Sequence, residues 1–158
     1  MKSPVQLVVG TSRLLNVDMP IGRGGFGGAL QQMGQVPLDP PNVKGWPGGK
    51  AWINTSTLFV RYNTCVWMAG GSDRVTIGGG RPGREQTRTI RAASGFQADS
   101  PKGEPYEIVD AWVAKLIQRP IESQKRDVLI QAIGEKPTNE SVKKMVQLIV
   151  SMPDYQLC

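Results

Sequence analysis

The chain has 158 residues, 39% of them apolar, with 19 glycines, 12 prolines and a formal charge of +6 from 19 basic against 13 acidic side chains. That length fits one domain able to bury roughly 70% of its unfolded surface, and the glycine and proline content predicts a modest core with long irregular connections. Histidine is absent, which removes the Ser-His-Asp and Cys-His constellations, the commonest general base and every His-containing zinc site.

Ser3 is a good N-cap and Pro4 suits the first helical position, so a helix is expected from Pro4 to about Asn16, with Val5, Val8, Val9 and Leu15 at helical spacing. Gly10 in its interior suggests close packing by a neighbour. Opening inside so broad an apolar stripe makes the chain look cut from something larger, and Met1-Lys2 shows no signal-peptide pattern. Val17 to Phe26 reads as a loop and Gly28 to Gln35 as a short helix. Asn54 or Thr55 caps a third helix, whose apolar face is read as Leu58, Phe59, Tyr62, Val66 and Ala69, and Gly70-Gly71 ends it.

Between the second and third helices runs Pro40-Pro41-Asn42-Val43-Lys44-Gly45-Trp46-Pro47-Gly48-Gly49-Lys50-Ala51-Trp52-Ile53-Asn54, with three prolines, three glycines and two tryptophans in fifteen residues. Proline lacks the donor and glycine costs too much entropy for helix or central strand, so this is a well-turned loop. Its candidate binding residues are Asn42, Lys44, Trp46, Lys50, Trp52 and Asn54: flat indoles with amides and ammonium groups suit a protein partner or a sugar ring. The plainer expectation is that the indoles bury themselves to pin the loop while the amides satisfy its backbone.

From Ser72 to Gly103 no apolar period emerges, which predicts an inserted loop or linker with at most a short hairpin. Arg74, Arg81, Arg84, Arg88 and Arg91 make it basic. Nucleic-acid binding would want interleaved aromatics, of which only Phe96 is at hand, so a solvated loop is favoured. Glu104 to Arg119 is a strong helix bearing Ile108, Val109, Trp112, Val113, Leu116 and Ile117, stopped by Pro120. Glu122 to Ile133 follows, with Val128, Leu129, Ala132 and Ile133 inside and Gly134 as C-cap. Thr138 or Asn139 starts the last helix, carrying Val142, Met145, Val146, Ile149 and Met152, and Pro153 ends it. The fold class is all-α: an irregular bundle of about six helices in one domain, 1–158.

Chemistry is sparse. Gly22-Arg23-Gly24-Gly25-Phe26-Gly27 matches G-x-G-x-x-G but follows Asp18-Met19-Pro20 instead of a strand. Gly45 to Ala51 is one residue short of a Walker A loop and offers Ala51 where Ser or Thr must hold magnesium. Cys65 and Cys158, 93 positions apart, permit a disulfide without indicating one; Cys65 reads as a core thiol. No carboxylate pair stands out. No metal, cofactor or catalytic residue is indicated, and no eighteen-residue apolar run predicts a membrane span.

Lys2-Ser3-Pro4-Val5 with Leu7-Val8-Val9-Gly10, then Met33-Gly34-Gln35, then Pro40 to Gly49 with Ala51-Trp52-Ile53-Asn54-Thr55, and finally Ser151-Met152-Pro153-Asp154-Tyr155-Gln156-Leu157, resemble the C-terminal part of a large bacterial family, catalogued as domain of unknown function eighteen-hundred. The resemblance covers about residues 1–71 and 104–158, and 72–103 looks longer than usual. It implies a largely helical protein, commonly exported or envelope-associated and longer than this chain. It also implies a partner: an exported alkaline-phosphatase- or sulfatase-like protein, or the missing N-terminal portion. No established activity comes with it. The expected function is therefore a non-enzymatic module acting by binding. The rivals are a subdomain of an envelope-polymer-processing enzyme with its catalytic groups elsewhere, and nucleic-acid binding through the arginine-rich loop.

Overall fold

The computed structural model describes residues 1–18, 22, 25–70, 96 and 103–157. Among these the fold is all-α: α1 (Pro4–Leu15), α2 (Phe26–Gln32), a 3-10 turn (Gly49–Trp52), α3 (Thr55–Met68), α4 (Pro105–Leu116), α5 (Ser123–Ile133), α6 (Asn139–Ser151) and α7 (Pro153–Leu157). α7 is one helix more than the sequence predicts. Pro153, read as a stop, sits where its missing N–H is harmless and starts a short new helix.

The helix ends follow their local chemistry. Ser3 caps α1, its Oγ accepting from the Gln6 N–H at 3.3 Å while Gln6 Oε1 accepts from the Ser3 N–H at 2.9 Å. The Gln35 side chain, from the turn after α2, accepts from the Val5 N–H at 3.0 Å and takes another unpaired amide of that first turn. Thr138 and Ser141 make the same reciprocal box for α6. Gly70 (φ 84) follows Ala69, the C-cap of α3, and Gly134 (φ 73) closes α5.

α6 is the hub, packing on α3, α4, α5 and α7, while α1, α2 and α3 form a second group joined to it through α3. Val142, Met145, Val146, Ile149 and Val150 of α6 are all buried in the contiguous core. The α4 stripe is buried as expected from Ile108 to Ile117, with Trp112 partly buried. Three expectations fail. Val128 of α5 points outward at 56% exposure. A Cβ on Gly10 would meet nothing within 4 Å, so no neighbour explains that glycine. The face assigned to α3 fails over its first half: Leu58, Phe59 and Tyr62 are exposed, while Val66 is half-buried and Ala69 is buried as expected, and Arg61, Thr64, Cys65, Trp67 and Met68 supply the rest of the buried surface.

Candidate binding surface

Short side-chain-to-backbone bonds build the loop between α2 and α3. Asn42 Oδ1 accepts from the Lys44 N–H at 2.8 Å, and its carbonyl accepts from the Gly45 N–H at 3.0 Å, a tight turn that Gly45 leaves at φ 83. Asn54 closes the loop as the N-cap of α3. Its Oδ1 accepts from the Thr57 N–H at 2.9 Å, and Thr57 Oγ1 accepts from the Asn54 N–H at 2.9 Å. The Thr57 hydroxyl also donates to the Trp52 carbonyl at 3.1 Å, fastening the 3-10 turn to the helix. Trp52 is 7% exposed and sits apart from the contiguous core, while Trp46 is half-buried. Both amide oxygens offered to a ligand are thus engaged by the backbone.

Among the side chains the loop shows to water are Asp39, Lys44, Lys50 and two large aliphatic ones. Val43 is fully exposed. Leu38 is 99% exposed and adopts φ 68, a left-handed conformation uncommon for a residue other than glycine. The Gly22 carbonyl accepts from the Gly25 and Gly28 N–H groups at 3.1 and 3.2 Å, taking two amides a phosphate would need.

α3 continues the surface. Turning Leu58 and Phe59 inward would gain on the order of 1.5–3 kcal/mol each, yet the helix buries a guanidinium in their place. Arg61 is 0% exposed. Its Nε donates to Gln156 Oε1 at 3.1 Å, and its Nη2 donates to the carbonyls of Lys2 at 2.9 Å and Gln156 at 3.3 Å. Gln156 Nε2 donates onward to the Val150 carbonyl at 3.0 Å. The Lys2 ammonium stands 3.4 Å from the centre of the Tyr155 ring, whose hydroxyl pairs with Thr11 at 2.7 Å. Arg61 therefore ties the segment before α1 and the helix α7 to α3. Nη1 has no hydrogen-bond partner among the described residues, and burial pushes the group below its ordinary range. The sequence carried no signal for this clasp beyond one charge in an otherwise uncharged helix.

Across residues 1–157 the sequence matches the family described as Protein of unknown function (DUF1800). The chain belongs to that family. No curated protein and no solved structure matches it. The matched range takes in the loop and both partners that Arg61 joins, Lys2 and Gln156, so the clasp lies wholly within the DUF1800 span.

Elsewhere in this DUF1800 chain, Asp110, Val113, Ala114, Gln118, Arg119, Pro120, Ile121 and Arg126 line an open cleft of about 610 Å³ at the α4–α5 connection. Neither tryptophan of the loop lines it. Its ionisable groups are paired: Arg126 Nε and Nη2 both donate to Asp110 at 2.7 Å, and Arg119 lies 3.6 Å from Asp154. The Arg126 bonds hold the Asp110 carboxyl below the usual carboxylate range, so it stays ionised at neutral pH and is poorly suited to proton transfer. Among the described residues no group of three or more His, Cys, Asp and Glu is placed to hold a metal, and no helix is long and apolar enough to cross a membrane.

Arg74, Arg81, Arg84, Arg88, Arg91 and Cys158 lie outside the described residues. Phe96, the aromatic available to the nucleic-acid reading, is 3% exposed and packs edge-on against Trp112 with ring centres 5.4 Å apart, so it offers no stacking face. Cys65 is a buried free thiol, and burial pushes it up to about 11, with Gln156 partly opposing. In a Cys158→Ser background it should resist thiol reagents at pH 8 until the protein unfolds. The stability from keeping it protonated is complete below the unfolded thiol's value, about 8.5, and is lost as pH rises through about 11. Native-state labelling at the rate of a free thiol would contradict this placement.

Proposed function

We propose that this chain is a non-enzymatic helical module that acts by binding a protein partner through the loop of residues 37–54. The observation that carries the proposal is the contrast within that loop: Trp52 and the two asparagine turns hold it, while Leu38 and Val43 stand free in water. A loop with its own internal fastenings loses little entropy on binding, and Leu38 in a left-handed conformation is the kind of local strain found at recognition sites. Asn42, Lys44, Trp46, Lys50, Trp52 and Asn54 form the site: Asn42, Asn54 and Trp52 shape it, and Lys44, Lys50 and the half-buried Trp46 face the partner. Export or envelope placement follows from the family resemblance, as does the preferred partner, an exported alkaline-phosphatase- or sulfatase-like protein.

The test is co-elution of the purified chain with that phosphatase- or sulfatase-like protein, followed by titration. Leu38→Ser, Val43→Ser and Lys44→Glu together should weaken the complex roughly a hundredfold without shifting the unfolding midpoint, because all three side chains are exposed. A triple variant that binds like wild type contradicts the assignment of the loop. The rival, a subdomain of an envelope-polymer-processing enzyme, is favoured by the substrate-sized cleft beside Asp110. With its catalytic groups elsewhere, it predicts that Asp110→Asn weakens binding of a polymer substrate while loop variants do not.

A further inference from the structure

Leu38 and Asp39 form a projection that this chain does not use on itself. The Val36 carbonyl accepts from the Asp39 N–H at 3.1 Å, closing a turn with Pro37 second and Leu38 third. Proline followed by a positive φ is the type II pattern, whose third position usually takes glycine. Leucine at φ 68 is strained there, and at 99% exposure it recovers nothing by burial within its own chain. Asp39, the next residue, is exposed and makes no ion pair among the described residues. The turn therefore presents an aliphatic knob with a carboxylate beside it.

A matching hollow lies on the same molecule. The open cleft at the α4–α5 connection, about 610 Å³, has apolar walls of Val113, Ala114, Pro120 and Ile121 and carries Asp110, Arg119 and Arg126. Arg126 and Asp110 satisfy each other through two bonds of 2.7 Å. Arg119 is held less firmly. Its contacts with Asp154 are long, 3.4 and 3.6 Å, Lys125 holds that carboxylate at 3.0 Å, and the Arg119 side chain is 51% exposed. An incoming carboxylate thus meets one cation with donors to spare. We infer that Leu38 of one copy seats in the α4–α5 cleft of a second copy, with Asp39 pairing to Arg119 of that second copy. Knob and hollow belong to different parts of the fold, so the contact is heterologous and assembly runs head to tail. The contact is small and of the weak, transient class, and the chain's charge of +6 adds a repulsion that salt screens. This goes beyond the partner reading and makes a second copy a competitor for Leu38.

Sedimentation velocity of the full chain tests this, under reducing conditions at about 0.15 M salt and from about 10 µM to 1 mM protein. The weight-average mass should climb with concentration and pass that of a dimer. Leu38→Ser removes the knob and Ala114→Trp fills the hollow; both positions are exposed, so neither should shift the unfolding midpoint. Each variant alone should associate at least roughly tenfold more weakly than wild type. Mixed in equal amounts, they should form a complex that stops at two chains, because together they hold one intact knob and one intact hollow. A wild-type chain that stays monomeric, or variants that associate as it does, overturn the inference. So does a wild-type dimer that grows no further, or a mixture that stays monomeric, since either would mark a symmetric contact. The partner reading is scored separately: Ala114→Trp should still bind the phosphatase- or sulfatase-like protein, and the triple loop variant should not. Partner binding by a chain that never self-associates removes this contact and keeps the loop reading. Self-association without partner binding does the reverse, and absence of both removes both.

Discussion

Replacing Arg61 by alanine is expected to lower stability by about 3 kcal/mol or more, the largest single effect in this protein. The substitution strips the guanidinium from Gln156 Oε1 and from the carbonyls of Lys2 and Gln156, and leaves a cavity as long as the arginine stem. Each buried acceptor left without a donor costs about 1–3 kcal/mol; removing a charge that burial already disfavours offsets part of this. Against the total stability of a domain, roughly 5–15 kcal/mol, the loss is large, and the melting midpoint should fall by about 6–12 °C. Arg61→Met keeps most of the stem volume and should recover part of the cavity cost, but none of the hydrogen bonds. The damage should be local first. Amide exchange in α7 and in residues 2–5 should quicken before that in α4 and α5, because only the first two elements hang on the clasp. An alanine variant with a wild-type midpoint would mean that the guanidinium is held elsewhere.

Truncating Trp52 to alanine is the second large effect, about 3 kcal/mol in stability. The indole is buried at 7% exposure yet lies outside the contiguous core, so little around it is placed to fill the void. The consequence reaches further than its own burial. Residues 49–52 form the 3-10 turn that Thr57 fastens to α3, and without the indole that one hydroxyl bond must hold the loop. The loop ahead of it should become open to proteases, and the partner complex should weaken in parallel. Trp46→Ala, at a half-buried position, should cost no more than about 1 kcal/mol. Urea midpoints with limited proteolysis of residues 37–54 separate the two variants. If Trp52→Ala keeps both the midpoint and the protease resistance of the wild type, the loop is held by something other than this side chain.

Helix ends were legible because caps are local chemistry. Ser3 with Pro4, Asn54 with Thr57, Thr138 with Ser141, and the terminating Gly70 and Gly134 act within four residues of where they stand. Long stripes such as those of α4 and α6 were legible for the same reason. The rotation of α3 was not. Its sequence is apolar on nearly every side, with Leu58, Tyr62 and Cys65 in one stripe and Phe59, Trp67 and Met68 on other sides, so periodicity fixes no single orientation. The choice is made by Arg61, whose acceptors come from residues 59 and 95 positions away. No window along the chain contains that information. α7 was missed because proline is ambiguous: it stops one helix and begins the next. The candidate loop was legible as a loop, and its asparagines as turn formers, but the exposure of Leu38 and Val43 depends on a backbone path that composition does not encode.

The orientation of α3 underlies the clasp, and one substitution tests it. Phe59→Glu places a charge where the structure has a side chain 66% exposed to water. Its urea unfolding curve should match wild type within about 0.5 kcal/mol. A loss of about 3 kcal/mol or more would put Phe59 in the core and Arg61 outside it, and would contradict the structure at its centre.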